Sequence, residues 1–352
     1  MPPPEPIIVG WDVGGAHVKA SVLQGGRIAD VAQWAAPLWQ GLDRLDAAID
    51  AAARRWPDLT PSHHVVTMTA EMTDLFEDRQ RGVEALVGHL AHALSPSPLF
   101  FAGDAGWLDA TAAARAWQQV ASANWLATAH CVAGRVGDGL LVDIGSTTTD
   151  IIPLASGLPV PSGRSDAERL ATGELVYVGV SRTPLCALGE RVVWRGQARN
   201  VMNEFFATTA DVFRLLGQLD PDHDQHPPAD GSDKSQAATC RRLARMVGHD
   251  GRDADLLAWR ELATAWASRM IECIAANAGR VLAAAALPID APIIGAGCGS
   301  FLARELAHRL GRPFIPFHRQ VLAPPGLEAW VSTCAPSAAI ASLYLAGERP
   351  CG

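Results

Sequence analysis

The sequence predicts an α/β protein made of two related halves. Residues 7–19 read IIVGWDVGGAHVK and residues 141–154 read LVDIGSTTTDIIPL, and the two stretches align without a gap at one constant offset. After each stretch, segments with strand and helix periodicity follow in a similar order. A repeat of this kind predicts a duplicated domain in which each half places a polar turn at one edge of its own sheet.

The first half is predicted to contain three strands, a helix, a strand, a helix, a strand and a group of helices. Short apolar alternations mark the strands, and apolar residues spaced three or four apart mark the helices. In chain order, these elements are strands at 7–12, 18–23 and 27–34, a helix at 42–56, the strand HVVTMT, a helix at 79–94, the strand PLFFAG, and Ala-rich helices across 109–132.

The second half restarts after Gly137 and then departs from the first by a long insertion. The predicted elements are strands at 139–143 and 149–155, a helical block at 200–218, a polar loop at 220–233, a long helix at 255–287, the strand APIIGAG, a helix at 300–310, a strand at 313–317 and a helix at 335–346. We therefore predict an N-terminal domain at 1–136 and a C-terminal domain at 137–334 with an insertion at 160–288. The C-terminal helix at 335–347 is predicted to pack back onto the first domain.

Composition excludes several functional classes. The chain has 352 residues, of which 49% are hydrophobic and 19% charged, and it carries a net charge of −8. An acidic chain lacks the basic face that a nucleic-acid surface needs. No signal peptide or membrane-length apolar run is apparent, and the seven cysteines form no CxxC pair. These features predict a cytoplasmic protein without a disulfide framework.

The two polar turns have the chemistry of a phosphate site. Backbone N–H groups of Gly-rich turns bind anions, and hydroxyls add donors without charge. Two aspartates, Asp12 and Asp143, would repel phosphate unless a cation lay between, so we expect Mg²⁺ as the cofactor, with these aspartates as its ligands. The predicted diphosphate- or nucleotide-binding residues are Gly14, Gly15, Gly145, Ser146, Thr147, Thr148, Thr149, Gly295 and Gly297.

Lys19 follows the first turn and is one of only two lysines among 29 basic residues, the other being Lys234. A compact ammonium suits a leaving phosphate better than a planar guanidinium does, so Lys19 is a candidate catalytic residue. Gly295 and Gly297 stand in a strand-to-helix turn, for which a purely structural function is an equal alternative. The TMTAEMTD segment leaves Glu71 and Asp74 near the same edge, with a helix-capping function for Thr73 or Asp74 as the alternative. The loop at 220–233 is expected to be a mobile flap with little to bury, rather than a metal site at His223 and His226.

Several longer stretches resemble one known family. They are WDVGGAHVK, TMTAEMTD, NWLATA, DIGSTTTDIIPL, ERLATGELVYVGVSRTPLCAL, EFFATTADVFRLLG and GAGCGSFL. The twin Asp-Gly hairpins resemble the superfamily of sugar kinases, actin and chaperone ATPases. Within it, the chain resembles the hydantoinase/oxoprolinase branch and, more narrowly, the methanofuran-biosynthesis synthases (furanmethanamine synthases) of tetrahydromethanopterin-linked one-carbon metabolism and methylotrophy. His17 and Ala70 depart from that pattern, which has Asn and Gly there.

The resemblance implies two ribonuclease H-like, actin-like domains facing across a cleft. It also implies a transferase that condenses an aminomethylfuran-methanol diphosphate with the phenol of a tyramine- or tyrosine-type acceptor and releases pyrophosphate. The phenol needs a base, for which Glu71, Asp150 and Glu174 are the carboxylate candidates. Arg182 would pair with the diphosphate or with an acceptor carboxylate.

Two other functions remain open at this point. One is an ATP-dependent small-molecule kinase or amide-activating enzyme, which would bind ATP in the same turns and use Asp104 as its base. The other is a nucleotide-binding regulator without catalysis, since one fold hosts all three functions. The expected partners are a small-molecule diphosphate and a phenolic amine, with neither nucleic acid nor membrane. Whether the chain forms a homodimer is left open.

Overall fold

The computed structural model describes residues 6–347, which fold into two compact units. Of the described residues, unit 1 contains 6–139, 154–160 and 315–347. Unit 2 contains residues 140–153 and 161–314. The sequence analysis instead divides the chain after residues 136 and 334, and that division into domains stays a prediction.

Fourteen strands are present in the described part of the chain, and most of the first eight begin or end within a residue of their predicted bounds. In chain order they are β1 (Ile8–Val13), β2 (His17–Gln24), β3 (Arg27–Ala35), β4 (His63–Met68), β5 (Leu99–Phe101), β6 (Trp107–Leu108), β7 (Gly139–Ile144), β8 (Thr149–Ala155), β9 (Leu158–Pro159), β10 (Leu175–Val176), β11 (Arg191–Trp194), β12 (Gln197–Asn200), β13 (Ile293–Ala296) and β14 (Phe314–Pro316).

The two main sheets repeat one topology, which confirms the predicted α/β class. The first has the order β3-β2-β1-β4-β5-β6 and the second has the order β10-β8-β7-β13-β14. In the first, β1 pairs antiparallel with β2 and parallel with β4. In the second, β7 likewise pairs parallel with β13, and β10 pairs antiparallel with β8. The insertion adds a separate two-stranded hairpin, β11–β12, which the sequence analysis missed.

Twelve α-helices lie in the described part of the chain. They are α1 (Asp43–Arg55), α2 (Arg79–Ala93), α3 (Ala110–Arg115), α4 (Trp117–Val120), α5 (Asn124–Val136), α6 (Asp166–Thr172), α7 (Thr209–Leu215), α8 (Gln236–Arg245), α9 (Leu256–Ala284), α10 (Ser300–Arg309), α11 (Glu328–Thr333) and α12 (Ala335–Ala346).

The longest helix, α9, packs along the insertion of unit 2. Its apolar stripe is buried as the helical spacing predicts, through Trp259, Leu262, Trp266, Met270, Ile274, Ala278 and Val281. No helix among residues 6–347 combines the length and the apolar character needed to cross a bilayer.

The last helix, α12, packs against β1, β2, β4 and α5 of unit 1. Contact between α12 and β1 is so close that a Cβ atom at Gly10 would lie 2.1 Å from the carbonyl oxygen of Ser337. The Ser21 and Ser337 hydroxyls are 2.7 Å apart within this contact. Glycine at position 10 therefore lets the helix lie directly on the sheet.

The loop at 220–233 is held by buried charges, and the expectation that it has little to bury is wrong. Asp224 is 8% exposed and lies 2.5 Å from Arg214 Nη2 and 3.2 Å from Lys234 Nζ. Arg242 of α8 is fully buried and contacts Asp230 of this loop at 3.1 Å. The loop has no large apolar residue, so its composition did not indicate that paired charges anchor it.

Candidate functional site

In unit 1, the first polar turn joins β1 to β2. Asp12 and Lys19 are register partners on these strands, and Lys19 Nζ lies 3.5 Å from Asp12 Oδ2. The turn closes with a 3.0 Å hydrogen bond from Gly14 N–H to His17 O. Asp12 is 3% exposed and the Lys19 side chain 19% exposed, so the ion pair lies mainly inside the protein.

The TMTAEMTD segment lies against this turn. A Cβ atom at Gly15 would lie 2.8 Å from Thr73 Cγ2, and Thr69 N–H donates to Val13 O at 2.9 Å. Thr73 Oγ1 donates to Ala70 O, and Asp78 caps α2 by accepting from Arg81 N–H at 2.8 Å. The alternative in which Thr73 or Asp74 caps this helix is therefore wrong.

Glu71 lies within the same segment but points into the protein. It is 1% exposed, and Oε1 accepts a 2.7 Å hydrogen bond from the Ser122 hydroxyl. A Cβ atom at Gly82 would lie 2.6 Å from Glu71 O, so the backbone is also tightly packed. These contacts favour a structural function for Glu71, and its predicted function as a base stays a prediction.

In unit 2, the second polar turn joins β7 to β8. It closes with a 2.8 Å hydrogen bond from Gly145 N–H to Thr148 O, between the residues that align with Gly14 and His17. Within residues 6–347, the N–H groups of Ser146, Thr147 and Thr148 donate to no backbone or side-chain acceptor. These residues are half-buried, so their N–H groups remain available to a ligand.

The GELVYVGVSRTP segment packs onto this turn. Val180 N–H donates to Gly145 O at 3.0 Å, and Arg182 N–H donates to Ser146 O at 2.9 Å. A Cβ atom at Gly179 would lie 2.4 Å from Thr147 N, so only glycine permits this contact. The motif match pointed to the segment, but sequence reasoning missed Gly179 because its contact is long-range.

Arg182 brings positive charge to the turn. Its Nη1 donates to Thr147 Oγ1 at 3.1 Å. Burial lowers the pKa of the Arg182 guanidinium from its usual value, while the neighbouring Tyr177 opposes the shift. An arginine remains protonated at neutral pH despite such a shift. The turn therefore combines backbone donors, hydroxyls and a half-buried cation, which is the composition of an anion site.

Asp143 is the second-to-last residue of β7 and lies beside a glycine turn. It is 9% exposed and pairs in register with Ala296 of β13. Gly297 has a φ of +80°, and a Cβ atom there would lie 2.5 Å from Asp143 Oδ1. Gly295 is different, because a Cβ atom would meet the Phe314 ring at 2.5 Å, which is a packing requirement.

Asp150 and Glu174 are both engaged by neighbouring groups. Asp150 Oδ1 lies 2.5 Å from Nη2 of Arg169, whose side chain is 1% exposed. Glu174 accepts from the N–H groups of Ser162 and Gly163 at 2.6 and 2.9 Å and from a threonine hydroxyl. These contacts favour structural functions, and the base assignments stay predictions. Sequence reasoning missed Arg169, which no local signal distinguishes from a solvated helical arginine.

The last carboxylate candidate lies in the short turn after β5. Asp104, the base of the kinase alternative, is exposed, with Oδ1 3.9 Å from His130 Nε2. Gly103, just before it, has a φ of +55° and belongs to the 3-10 turn after β5. Within residues 6–347, no three His, Cys, Asp or Glu side chains form a metal-binding group. Asp12 and Asp143 each occupy the second-to-last position of a central strand, β1 and β7.

Comparisons with known proteins identify relatives across most of the chain. The family model for hydantoinase/oxoprolinase matches residues 63–330. A Methanocaldococcus jannaschii protein named (4-{4-[2-(gamma-L-glutamylamino)ethyl]phenoxymethyl}furan-2-yl)methanamine synthase is 31% identical over 245 residues, which are 69% of this chain and 72% of that protein. A Methanococcus vannielii protein of the same name is 38% identical over 112 residues, 32% of this chain and 50% of that protein.

Among solved structures, the nucleotide-free acetone carboxylase matches with a TM-score of 0.58 and 10% identity, covering 96% of this chain and 70% of that chain. At that identity, the match shows a shared fold alone.

Proposed function

The chain belongs to the hydantoinase/oxoprolinase family, and from that premise we propose that it is a transferase of methanofuran biosynthesis. The proposed reaction joins an aminomethylfuran-methanol diphosphate to the phenol oxygen of a tyramine- or tyrosine-type acceptor. The carbon–oxygen bond to diphosphate breaks, an aryl ether bond forms, and pyrophosphate and the phenol proton leave. The name shared by the two methanogen relatives supports this proposal, because it describes a phenoxymethyl-furan methanamine.

The observation that carries the proposal is the β7–β8 turn with Arg182. A furan-methyl carbon gains positive charge as its diphosphate departs, so the protein must mainly stabilise the departing anion. The Arg182 guanidinium lies 3.1 Å from the Thr147 hydroxyl, beside N–H groups that donate to no acceptor among residues 6–347. Donors fixed before the reaction stabilise developing charge without reorganising, which is the catalytic contribution proposed for this turn.

Mg²⁺ is part of the proposal. The Asp143 carboxylate is a hard oxygen donor, and the absence of a side chain at Gly297 leaves room beside its Oδ1. Asp12 offers the aligned carboxylate in unit 1. A single carboxylate at each turn suits a cation that fills its other positions with water and phosphate oxygens. When bound, Mg²⁺ would supply positive charge to the leaving diphosphate.

The three carboxylates considered as bases for the phenol proton are all engaged by neighbouring groups. Glu71 accepts from the Ser122 hydroxyl, Asp150 pairs with Arg169, and Glu174 accepts from two backbone N–H groups. We therefore propose that the proton leaves late, after the carbon–oxygen bond to diphosphate has largely broken. In this proposal, Arg182 and the turn residues promote the reaction by stabilising the departing diphosphate.

Incubation with separate substrates tests the function. With the furan diphosphate, a tyramine-type phenol and Mg²⁺, we expect stoichiometric pyrophosphate and an aryl ether detected by mass spectrometry. With ATP alone or with ATP and the phenol, we expect no ADP. Release of ADP without pyrophosphate would establish the kinase alternative instead.

Calorimetry with pyrophosphate tests the metal. We expect pyrophosphate to bind at least about tenfold more tightly in Mg²⁺ than in EDTA. Asp143→Asn should remove most of this difference in affinity. Asp138→Asn, at the half-buried aspartate just before β7 that accepts from Ser156 N–H, is the matched control and should retain the dependence on Mg²⁺. Equal affinity in Mg²⁺ and EDTA would exclude the metal.

A further inference from the structure

A cavity of about 620 Å³ lies in the insertion of unit 2, away from the polar turn. It is bounded by one face of α8, by the loop at 250–254 and by the start of α9. None of its lining residues belongs to the turn, to the 178–183 segment or to the glycine turn at 295–299. Cavities of this size accept small organic molecules.

The cavity is positively charged within an acidic protein. Arg241, Arg245 and Arg252 line it, and Asp250 is the one carboxylate among its lining residues. Asp250 lies 3.3 Å from Arg252, so this pair is neutral. Hydrogen bonds from Ser235, and more weakly the charges of Arg241 and Arg242, lower the pKa of Asp233, so Arg241 has one carboxylate in its neighbourhood. Among the lining residues themselves, three arginines face a single carboxylate, in a chain whose net charge is −8.

The start of α8 adds a second attraction for anions. Gln236 and Ala237, in its first turn, line the cavity together with Cys240 and Arg241 one turn later. The first turn of a helix presents N–H groups and the positive end of the helix dipole. The helical dipole and the guanidiniums therefore favour the same sign of charge in the ligand.

The walls of the cavity are firmly held. Trp259 Nε1 donates to Gly251 O at 3.0 Å and to Ala254 O at 3.1 Å, which fastens the loop to α9. The Trp259 ring stacks on Trp194 with centroids 4.8 Å apart. A Cβ atom at Gly251 would lie 3.1 Å from Arg241 Cγ, so the loop also packs closely on α8. A preorganised site of this kind loses little entropy on binding.

We propose that this cavity is a second binding site, for a small organic anion bearing carboxylate or phosphate groups on an apolar body. Arg241 and Arg245 would bind the anionic groups, since a guanidinium matches the geometry of either group bidentately. The apolar body would pack on Trp259, Ala254 and Leu256. Burial raises the pKa of the Cys240 thiol, opposed by Arg260, so the thiol contributes a neutral wall.

Calorimetry with two matched probes tests the site and distinguishes the anionic groups. The probes are phthalate and phenyl phosphate, each titrated in EDTA, with benzyl alcohol as the neutral analogue. We expect saturable binding of at least one anion at one site per chain and none of benzyl alcohol. The double variant Arg241→Gln/Arg245→Gln should weaken this binding by about tenfold or more.

Three further variants locate the binding. Ala237→Glu adds a negative charge at an exposed position on the cavity wall, so it should also weaken the binding of the anion. Arg309→Gln, on an exposed arginine of α10 paired with Glu305, should change nothing. Arg182→Gln should leave this binding event in place, because it affects only the turn. The proposal is overturned if neither anion saturates, if the double variant binds as wild type does, or if Arg182→Gln abolishes the event.

Discussion

The β1–β2 hairpin of unit 1 and the β7–β8 hairpin of unit 2 close with the same hydrogen bond, from Gly14 N–H to His17 O in one and from Gly145 N–H to Thr148 O in the other. Their charges differ. Lys19 of the first hairpin pairs with Asp12 on the neighbouring strand, whereas the aligned Asp150 of the second pairs with Arg169 from α6. The two hairpins therefore share one backbone geometry but carry opposite charges at the aligned positions Lys19 and Asp150.

The second hairpin also receives its positive charge from elsewhere. Arg169 and Arg182 both come from the segment that follows β8, and each contacts a hairpin residue directly. The first hairpin instead carries its own ammonium. The two hairpins therefore share their turn geometry, while the positive charge comes from the strand itself in the first and from the following insertion in the second.

The largest expected effect is on the stability of the second hairpin. Arg169→Met leaves the Asp150 carboxylate without its buried partner, and we expect a loss of about 3 kcal/mol in the free energy of unfolding. Urea unfolding measures it. The double variant Asp150→Asn/Arg169→Met should recover much of the loss, and Arg309→Met, in an exposed pair, should cost less than about 0.5 kcal/mol. An unchanged unfolding midpoint for Arg169→Met would show that Arg169 is dispensable to the hairpin.

The first hairpin should instead be sensitive to acid through His64 of β4. Its Nδ1 accepts from Trp11 Nε1 at 3.0 Å, and burial lowers the pKa of His64 from 6.5 to about 4. The unfolded chain therefore binds this proton first as the pH falls. The stability that neutral His64 provides is complete above pH 6.5 and is lost between pH 6.5 and 4, by about 3 kcal/mol.

Thermal unfolding across that pH range measures the His64 contribution. His64→Gln keeps an acceptor for the Trp11 indole and removes the titration, so its stability should fall less steeply. The residue of β7 that aligns with Trp11 is Val142, which has no such partner. Parallel pH profiles for wild type and His64→Gln would contradict the lowered pKa.

The largest effect on catalysis is expected from the loss of Arg182 at the second hairpin. We expect Arg182→Gln to fold normally and to lose about 100-fold in pyrophosphate release, equivalent to roughly 2.7 kcal/mol of transition-state stabilisation. Arg191→Gln, on an exposed strand residue of the same insertion, should keep wild-type activity. Steady-state pyrophosphate assays compare the two. If Arg182→Gln retains full activity, the turn of unit 2 does not stabilise the leaving group.

A smaller effect on pyrophosphate release is expected for Lys19→Arg. The wider guanidinium would disturb the ion pair with Asp12 and displace the leaving diphosphate that Lys19 is proposed to neutralise. We therefore expect the rate of pyrophosphate release to fall about tenfold, equivalent to roughly 1.4 kcal/mol of transition-state stabilisation. The matched control is Gln24→Arg, which adds the same side chain at the exposed end of β2. Lys234→Arg is unsuitable as a control because Lys234 pairs with buried Asp224. Equal rates for both β2 variants would make Lys19 a purely structural partner of Asp12.

Local patterns predicted the elements that bury an apolar face. Strands β1–β3 and helix α9 were recognised because their spacing alone determines which side is apolar. Helix α8 was missed although it has a buried face, because that face is made of small residues and interrupted by a buried arginine: Ala238, Thr239, Cys240, Arg242, Leu243 and Ala244. The β11–β12 hairpin turns at Arg195 and Gly196, which both have positive φ values, and of these only Gly196 is a signal in the sequence.

The site was predictable only where one hairpin alone determines the geometry. The aspartate-glycine repeat indicated both turns, and the offset alignment correctly paired their closing residues. The contacts of Arg169, Gly179 and Ser122 join residues far apart in sequence, so no local spacing could reveal them. The same limit explains why the carboxylates Asp150 and Glu174 looked available as bases although neighbouring groups bind both.

The position of α12 also sets the order in which the chain matures on the ribosome. Unit 2 draws only on residues 140–153 and 161–314, so its sheet can assemble before α12 is synthesised. The sheet of unit 1 emerges first, yet the helix that covers β1 and β2 is synthesised only after all of unit 2. We therefore expect β1 and β2 to keep one apolar face exposed until α12 has been synthesised. Nascent chains that lack residues 335–346 should accordingly bind chaperones through their N-terminal half.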